Sequence, residues 1–312
     1  MKPADFWKNF MLGEELSISG TFIYNGLRRF HEIRQLNNPD EVFEVFYALS
    51  VGIERLLKIA VVLIEHDIAN DQDALEKSLI THNHLDLLHR IRQHRAITLG
   101  TPHHELLALL TTFYKSHRYD RFSLSSVFDL RKDRKVLYDF FAKHLHLEPL
   151  DPDSIIGTPN DPRYERFLSR TVRKISTGLF SVIESRAREL NLYTYELRSG
   201  SRAETVFLSE ATIESEDVLW KELLVFFMNT KTTSGYLNFL RGIQPLEFDP
   251  GLVDEYLHCF RSDAEKSLAR DELDALYDEL SNKGERLELM SVIGKDGICF
   301  ESPEDDDATE CE

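Results

Sequence analysis

Residues 39–67, PDEVFEVFYALSVGIERLLKIAVVLIEHD, decide the fold. Asp40 suits an N-cap, and the stretch after it winds as a helix of about seven turns. Glu54 and Lys58 stand i,i+4 in the order that favours an ion pair on a helix. The core of the stretch, residues 42–64, is the most apolar in the chain. It is nevertheless interrupted by Glu44, Glu54, Arg55 and Lys58. A bilayer span needs about 20 mostly uncharged residues, so the stretch is expected to be the buried central helix of a protein that does not cross a membrane.

Helical patterning continues on both sides of it. NHLDLLHRIRQHR (83–95) puts Leu85, Leu88 and Ile91 on one stripe. PHHELLALLTTFYKSHRY (102–119) opens on Pro102, a good first-turn residue. SSVFDLRKDRKVLYDFFAKHLHL (125–147) turns Val127, Leu130, Leu137 and Phe141 inward. Short loops between such helices imply an all-α bundle over residues 1–147. LEPLDPDSIIGTPNDPR (147–163) carries four prolines and marks a linker, assigned to 148–163.

A second, mainly helical and acidic domain is expected over 164–300. It contains a long amphipathic helix from Tyr164, a very apolar one in ESEDVLWKELLVFFMNT (214–230), and a third beginning at the capping box Ser262–Glu265 and stopping at Gly284. Leu273, Leu276 and Leu280 form a seam that fits a homodimer and equally an intrachain helix pair. TYELRSG (194–200) and SVIGKDGICFE (291–301) suggest a small hairpin around Lys295-Asp296-Gly297.

Charge divides the chain more sharply than composition does. Residues 1–147 hold 19 Lys/Arg and 19 Asp/Glu, whereas the remainder holds 18 and 35 and so carries the whole net charge of −17. The last segment, ESPEDDDATECE (301–312), contributes −7 and reads as a disordered acidic tail, with a nucleic-acid mimic as the sharper alternative. Three cysteines without CxxC spacing exclude a disulfide framework and fit a reducing cytoplasm. The N-terminus has no sustained apolar segment, so no signal peptide is expected.

Familiar catalytic devices are absent. No phosphate loop, GxGxxG, HExxH or GxSxG occurs, which argues against a nucleotide-driven motor or a simple hydrolase. Seven of the twelve histidines lie between His82 and His117, and His82 and His89 are seven apart. No carboxylate–histidine pair repeats that spacing, so neither a metal nor any other cofactor is expected. The basic density is the stronger signal: from Arg90 to Lys135 there are ten Lys/Arg against four acidic residues. Arg90, Arg92, His94, Lys115, Arg131, Arg134 and Lys135 are the candidate nucleic-acid contacts, since a cationic ridge beside aromatic rings holds phosphates and stacks unpaired bases. Within FYKSHRYDRFS (113–123), Tyr119 and Phe122 are expected to pack inward while Arg118 and Arg121 face out.

Three segments, GIERLLKIAVVLIEHD (52–67), THNHLDLLHRI (81–91) and FYKSHRYDRF (113–122), resemble in order and type the elements of HEPN domains. Thr81, His82, Leu85 and Leu88 match the second element, and the resemblance covers about residues 40–145. It implies an all-α domain of prokaryotic defence, abortive-infection or toxin–antitoxin systems. Active members of that family are metal-independent ribonucleases with an Arg-x4-6-His motif. Here Ser123 stands where histidine would follow Arg118, and Ser126 where it would follow Arg121. The resemblance therefore implies fold and context more than ribonuclease activity. The expected function is a non-catalytic component of such a system that binds a protein partner, a basic one facing the acidic half, with nucleic acid as a further contact. The alternative is a divergent ribonuclease using His117, Arg118 and Arg121, or Arg90 and His94.

Overall fold

Pro39 and Asn38 start the central helix in the computed structural model. Asn38 is extended and caps helix α3, Pro39–Glu65, so the N-cap lies two residues before the expected Asp40, which joins Glu41 in the acidic first turn. The structure describes residues 2–66, 71–120, 122, 124, 132–148, 158–192, 201–208, 213–261, 266–298 and 300. At 1.5 Å per residue α3 is about 40 Å long. Fifteen of its 27 residues are buried, from Val42 to Leu63. A helix buried on this scale has to be covered from several sides.

The cover is assembled from both directions along the chain. Before α3 come α1 (Pro3–Phe6), a π-helical turn at Trp7–Met11, and α2 (Leu12–Glu32). After it come α4 (Gln72–Ser78), α5 (His84–Arg92), α6 (Thr101–Thr112), a second π-helical turn at Phe113–His117, α7 (Arg118–Asp120), α8 (Lys132–Leu145), α9 (Pro162–Glu189) and α10 (Arg202–Phe207). The α2–α3 pair is the most extensive helix contact, and glycine allows its close approach. A Cβ on Gly52 would stand 2.7 Å from Ile23 Cγ1 and 2.9 Å from Ile23 N. Ser19 Oγ donates to Gly52 O at 2.7 Å in the same contact. A Cβ on Gly20 would lie 2.4 Å from Ala203 Cα, which is how α10 docks on α2.

The chain separates into two compact units, Met1–Ile213 and Glu214–Glu312. The division expected at 148–163 is thus displaced to 213/214. The physical reason is the apolar stripe of α9, where Leu168, Val172, Ile175, Leu179 and Ile183 are buried in the same core as α2 and α3. The described end of the proline-rich stretch is pinned to the α2–α3 turn. Leu36 N donates to Thr158 O and Asn160 N to Arg34 O, both at 2.8 Å. Asn160 Nδ2 donates to Phe30 O at 2.8 Å. Arg186 Nε donates to Leu63 O at 2.9 Å, satisfying a carbonyl in the last turn of α3.

The second unit contains α11 (Ile213–Asn229, which starts at the boundary), α12 (Gly235–Gly242), a 3₁₀ turn at Pro250–Leu252, α13 (Val253–Cys259), α14 (Lys266–Glu279) and α15 (Lys283–Val292). Helix α14 ends at Glu279, ahead of the stop expected at Gly284, and Gly284 lies in the first turn of α15. Ser262–Glu265, TYELRSG and 301–312 lie outside the described residues. Among the described residues there is no strand, only an isolated bridge between Gln35 and Pro159. Gly294 and Gly297, with φ of +75°, form turns around Lys295-Asp296 without strands beside them. No helix among the described residues is long and apolar enough to cross a membrane.

Two glycines predict opposite signs. Gly52→Ala is expected to destabilise the first unit by about 2–3 kcal/mol, because backbone lies in the way of the new methyl. Gly178→Ala, in mid-helix α9 with Ile97 Cγ2 at an ordinary 3.5 Å, is expected to stabilise by about 0.5–1 kcal/mol. Urea unfolding of the two variants checks both; equal effects would contradict the packing described.

Candidate functional site

Glu54 sits in the middle of α3 and is only 7% exposed. A carboxylate there must be paired, and it is paired twice. Lys58 Nζ, one turn on, donates to Oε1 at 2.6 Å. His82, in the extended segment before α5, donates from Nδ1 to Oε2 at 2.9 Å. The i,i+4 spacing of Glu54 and Lys58 forecasts the first bond. The second depends on the α3–α5 connection, which Asn83 fixes by accepting from Asp86 N as the N-cap of α5.

The third element reaches the same place. The Tyr114 ring packs against the His82 ring with centroids 4.5 Å apart, and Tyr47 of α3 stacks on Tyr114 at 6.1 Å. The Arg118 guanidinium lies 3.9 Å from the Tyr114 centroid and 4.4 Å from that of Tyr119. Burial raises the Tyr114 phenol above its ordinary value, with the Arg118 charge working in the opposite direction. Beside these groups is a cleft of about 420 Å³ lined by Trp7, Glu15, Glu54, Arg55, Lys58, His82 and Tyr114 among others. Arg55 is ion-paired with Glu15 at its wall.

Chemically, the bond from His82 Nδ1 to a carboxylate fixes the imidazole so that Nε2 is the free nitrogen in the neutral ring. The His82 side chain is 44% exposed and held by Glu54, and the Tyr114 ring touches both it and the Arg118 guanidinium. No His/Cys/Asp/Glu cluster able to hold a metal occurs among the described residues. His82 and His89 do not share a ligand position: His89 Nε2 faces Gln93 Nε2 at 3.3 Å, while His82 is on Glu54.

The described basic positions do not converge. Arg90 lies on Glu65 at the C-terminal end of α3, with Nε–Oε1 at 2.9 Å. Arg134 is buried, and its Nη1 donates to Asn37 Oδ1 at 2.9 Å, just before the N-terminal end of α3. The two are therefore separated by about the full 40 Å of that helix. Arg92 donates to Ile97 O and faces His104 Nε2, both at 3.0 Å. Lys135 is exposed and 3.8 Å from Asp139, and His94 and Lys115 are exposed on other turns. Arg121 and Arg131 lie outside the described residues.

Within FYKSHRYDRFS the core-facing ring is Phe113, fully buried against Phe43 and Phe46. Tyr119 and Phe122 face outward instead, at 55% and 89% exposure. The π-helical turn at Phe113–His117 accounts for this, because its wider winding shifts the phase of every residue after it. The same turn draws Arg118 back onto Tyr114. Neither a π turn nor the partner of His82 has a one-dimensional signal, so the cluster escapes a motif search.

No family model, curated protein or solved structure matches this chain.

A second histidine anchors the site from behind. His84 is fully buried; its Nε2 donates to Ser50 O at 2.9 Å, and its backbone N–H donates to Thr111 Oγ1 at 3.1 Å. Burial lowers its pKa, against the Ser50 bond and the Glu54 charge, while His82 and Lys58 add to the lowering. Since the unfolded chain binds that proton more readily, the contribution of His84 is intact above about pH 6.5 and is lost as pH falls below it. In urea titrations between pH 8 and 5, His84→Gln is expected to show a shallower fall in stability than the parent, by up to one proton. Parallel slopes would contradict the assignment.

Proposed function

We propose that the protein is a partner-binding component of a bacterial defence or toxin–antitoxin-type system, with a HEPN-like first unit and an acidic second unit that engages a protein partner. One observation carries the proposal: the second unit holds almost all of the net charge and, among its described residues, buries no apolar side chain. Residues 214–312 contain nine Lys/Arg against 25 Asp/Glu, leaving the first unit near neutrality. Among the described residues, no buried hydrophobic one lies beyond Phe207. A helical unit whose apolar side chains stay uncovered is completed by association. Its negative field would steer a basic partner and set orientation more than affinity. Co-purification with the products of neighbouring genes is the test. A stable partner whose association rate falls several-fold between low and physiological salt is expected; the absence of any co-purifying partner would overturn the proposal.

A second reading is favoured by the Glu54–His82 pair beside Arg118. In it the first unit is a divergent metal-independent ribonuclease whose base is His82, with Arg118 countering phosphate charge. Labelled RNA incubated with the protein and a chelator separates the two. Under this reading cleavage occurs and falls at least 100-fold in His82→Ala, whereas His117→Ala retains it. Under the first reading neither parent nor variant cleaves.

A further inference from the structure

Helix α9 buries one side in the core of the first unit and leaves the other open. Over its first half the open side is cationic. Residues 162–178 hold five Lys/Arg against a single Glu, and that Glu165 is turned toward α2, where its Oε2 lies 2.8 Å from His31 Nδ1. Arg166, Arg170 and Lys174 are exposed and stand four residues apart. They form one row of about 12 Å on the face opposite the buried Leu168, Val172, Ile175 and Leu179.

The row is set apart by having its charges unused. Arg29, Arg55, Arg90, Arg95 and Arg188 each hold a carboxylate of the same unit. Arg163, at the start of α9, holds Asp161. Arg166, Arg170 and Lys174 make no hydrogen bond or ion pair with any described residue, and the Asp161 charge that acts on Arg166 is already bonded to Arg163. Like charges four residues apart on a helix repel, and an anion lying along the row would relieve that.

We propose that this row is a binding site for the phosphate backbone of a double-stranded nucleic acid. It is a surface separate from the acidic unit and from the His82 cleft, and it does not rest on either reading of the function. The chemistry of the face selects the ligand. No large apolar side chain of α9 is exposed, so the face has neither the wedge a lipid surface needs nor the anchor of a protein interface. Its aromatic residues in this half, Tyr164 and Phe167, pack on Phe141 and Phe140, which leaves unpaired bases nothing to stack on. Regularly spaced charge remains, and a duplex backbone matches it. With a phosphate about every 3.4 Å of axis on each strand, the row faces about three.

Fluorescence anisotropy of two short labelled duplexes of one sequence, RNA and DNA, titrated with the full chain, provides the test. Micromolar binding is expected at about 50 mM salt, weakening about 40-fold by about 200 mM, as three phosphate contacts require. Arg170→Gln is expected to lower the slope of log affinity against log salt by about one, and Arg170→Lys to retain the parent's slope. The triple variant Arg166→Gln, Arg170→Gln, Lys174→Gln is expected to lose binding while melting at the parent's temperature. Lys135→Gln, an exposed cation of α8, is expected to change nothing. Binding of either duplex supports the assignment, and the tighter one names the source of the backbone. No binding at about 50 mM salt, a triple variant that binds like the parent, or equal loss in Lys135→Gln overturns it. So does capture by phosphatidylserine vesicles and by neither duplex.

Discussion

The packing of α3 is the constraint on which the first unit depends. With fifteen buried residues between Val42 and Leu63, the helix leaves only a stripe through Glu44, Tyr47, Arg55 and Lys58 toward solvent, so the neighbouring helices have to enclose the rest. Gly52 lets α2 approach closely enough to do this on one side, and the stripe of α9 closes another. Glu54 is the exception inside that apolar column. Its charge is tolerated because Lys58 and His82 both reach it, and that requirement brings the α3–α5 connection and the Tyr114 turn to a single cleft. The candidate site is thus a by-product of how one buried carboxylate is satisfied.

Much of this is legible in the sequence. The length and apolarity of 39–65 announce a central helix, and the Glu54–Lys58 spacing announces their bond. The segments containing Glu54, His82 and Tyr114, which suggest a family by their order, are the ones that meet in the cleft. Other features are not legible because they depend on three dimensions. The prolines before α9 resemble a linker, yet what assigns α9 to the first unit is the match of its apolar stripe to α2 and α3. Arginines that look like a ridge in one dimension are spread along a 40 Å helix and partnered there: Arg90 by Glu65, Arg134 by Asn37. The outward turn of Tyr119 follows from a π-helical turn that no periodicity count includes.

The two units are built on different terms. The first is nearly neutral and buries a continuous core from Leu12 to Phe207. The second carries the negative charge, and its described contacts are ring pairs and polar bonds between half-exposed groups, such as Trp220 stacked on Phe260 at 6.0 Å. Another is Tyr256, whose hydroxyl donates to Glu272 at 2.5 Å. Such contacts order turns, but they do not supply the apolar burial that holds a domain of this size together. Association is the physical remedy, which is why the proposed function rests on the second unit.

Hydrogen exchange followed by mass spectrometry on the full chain tests this division most directly. The account predicts that amides of 39–65 and 162–189 are strongly protected, while those of 213–229 exchange faster by orders of magnitude in the protein alone. Equal protection of 213–229 and 39–65, or rapid exchange within 39–65, would contradict it.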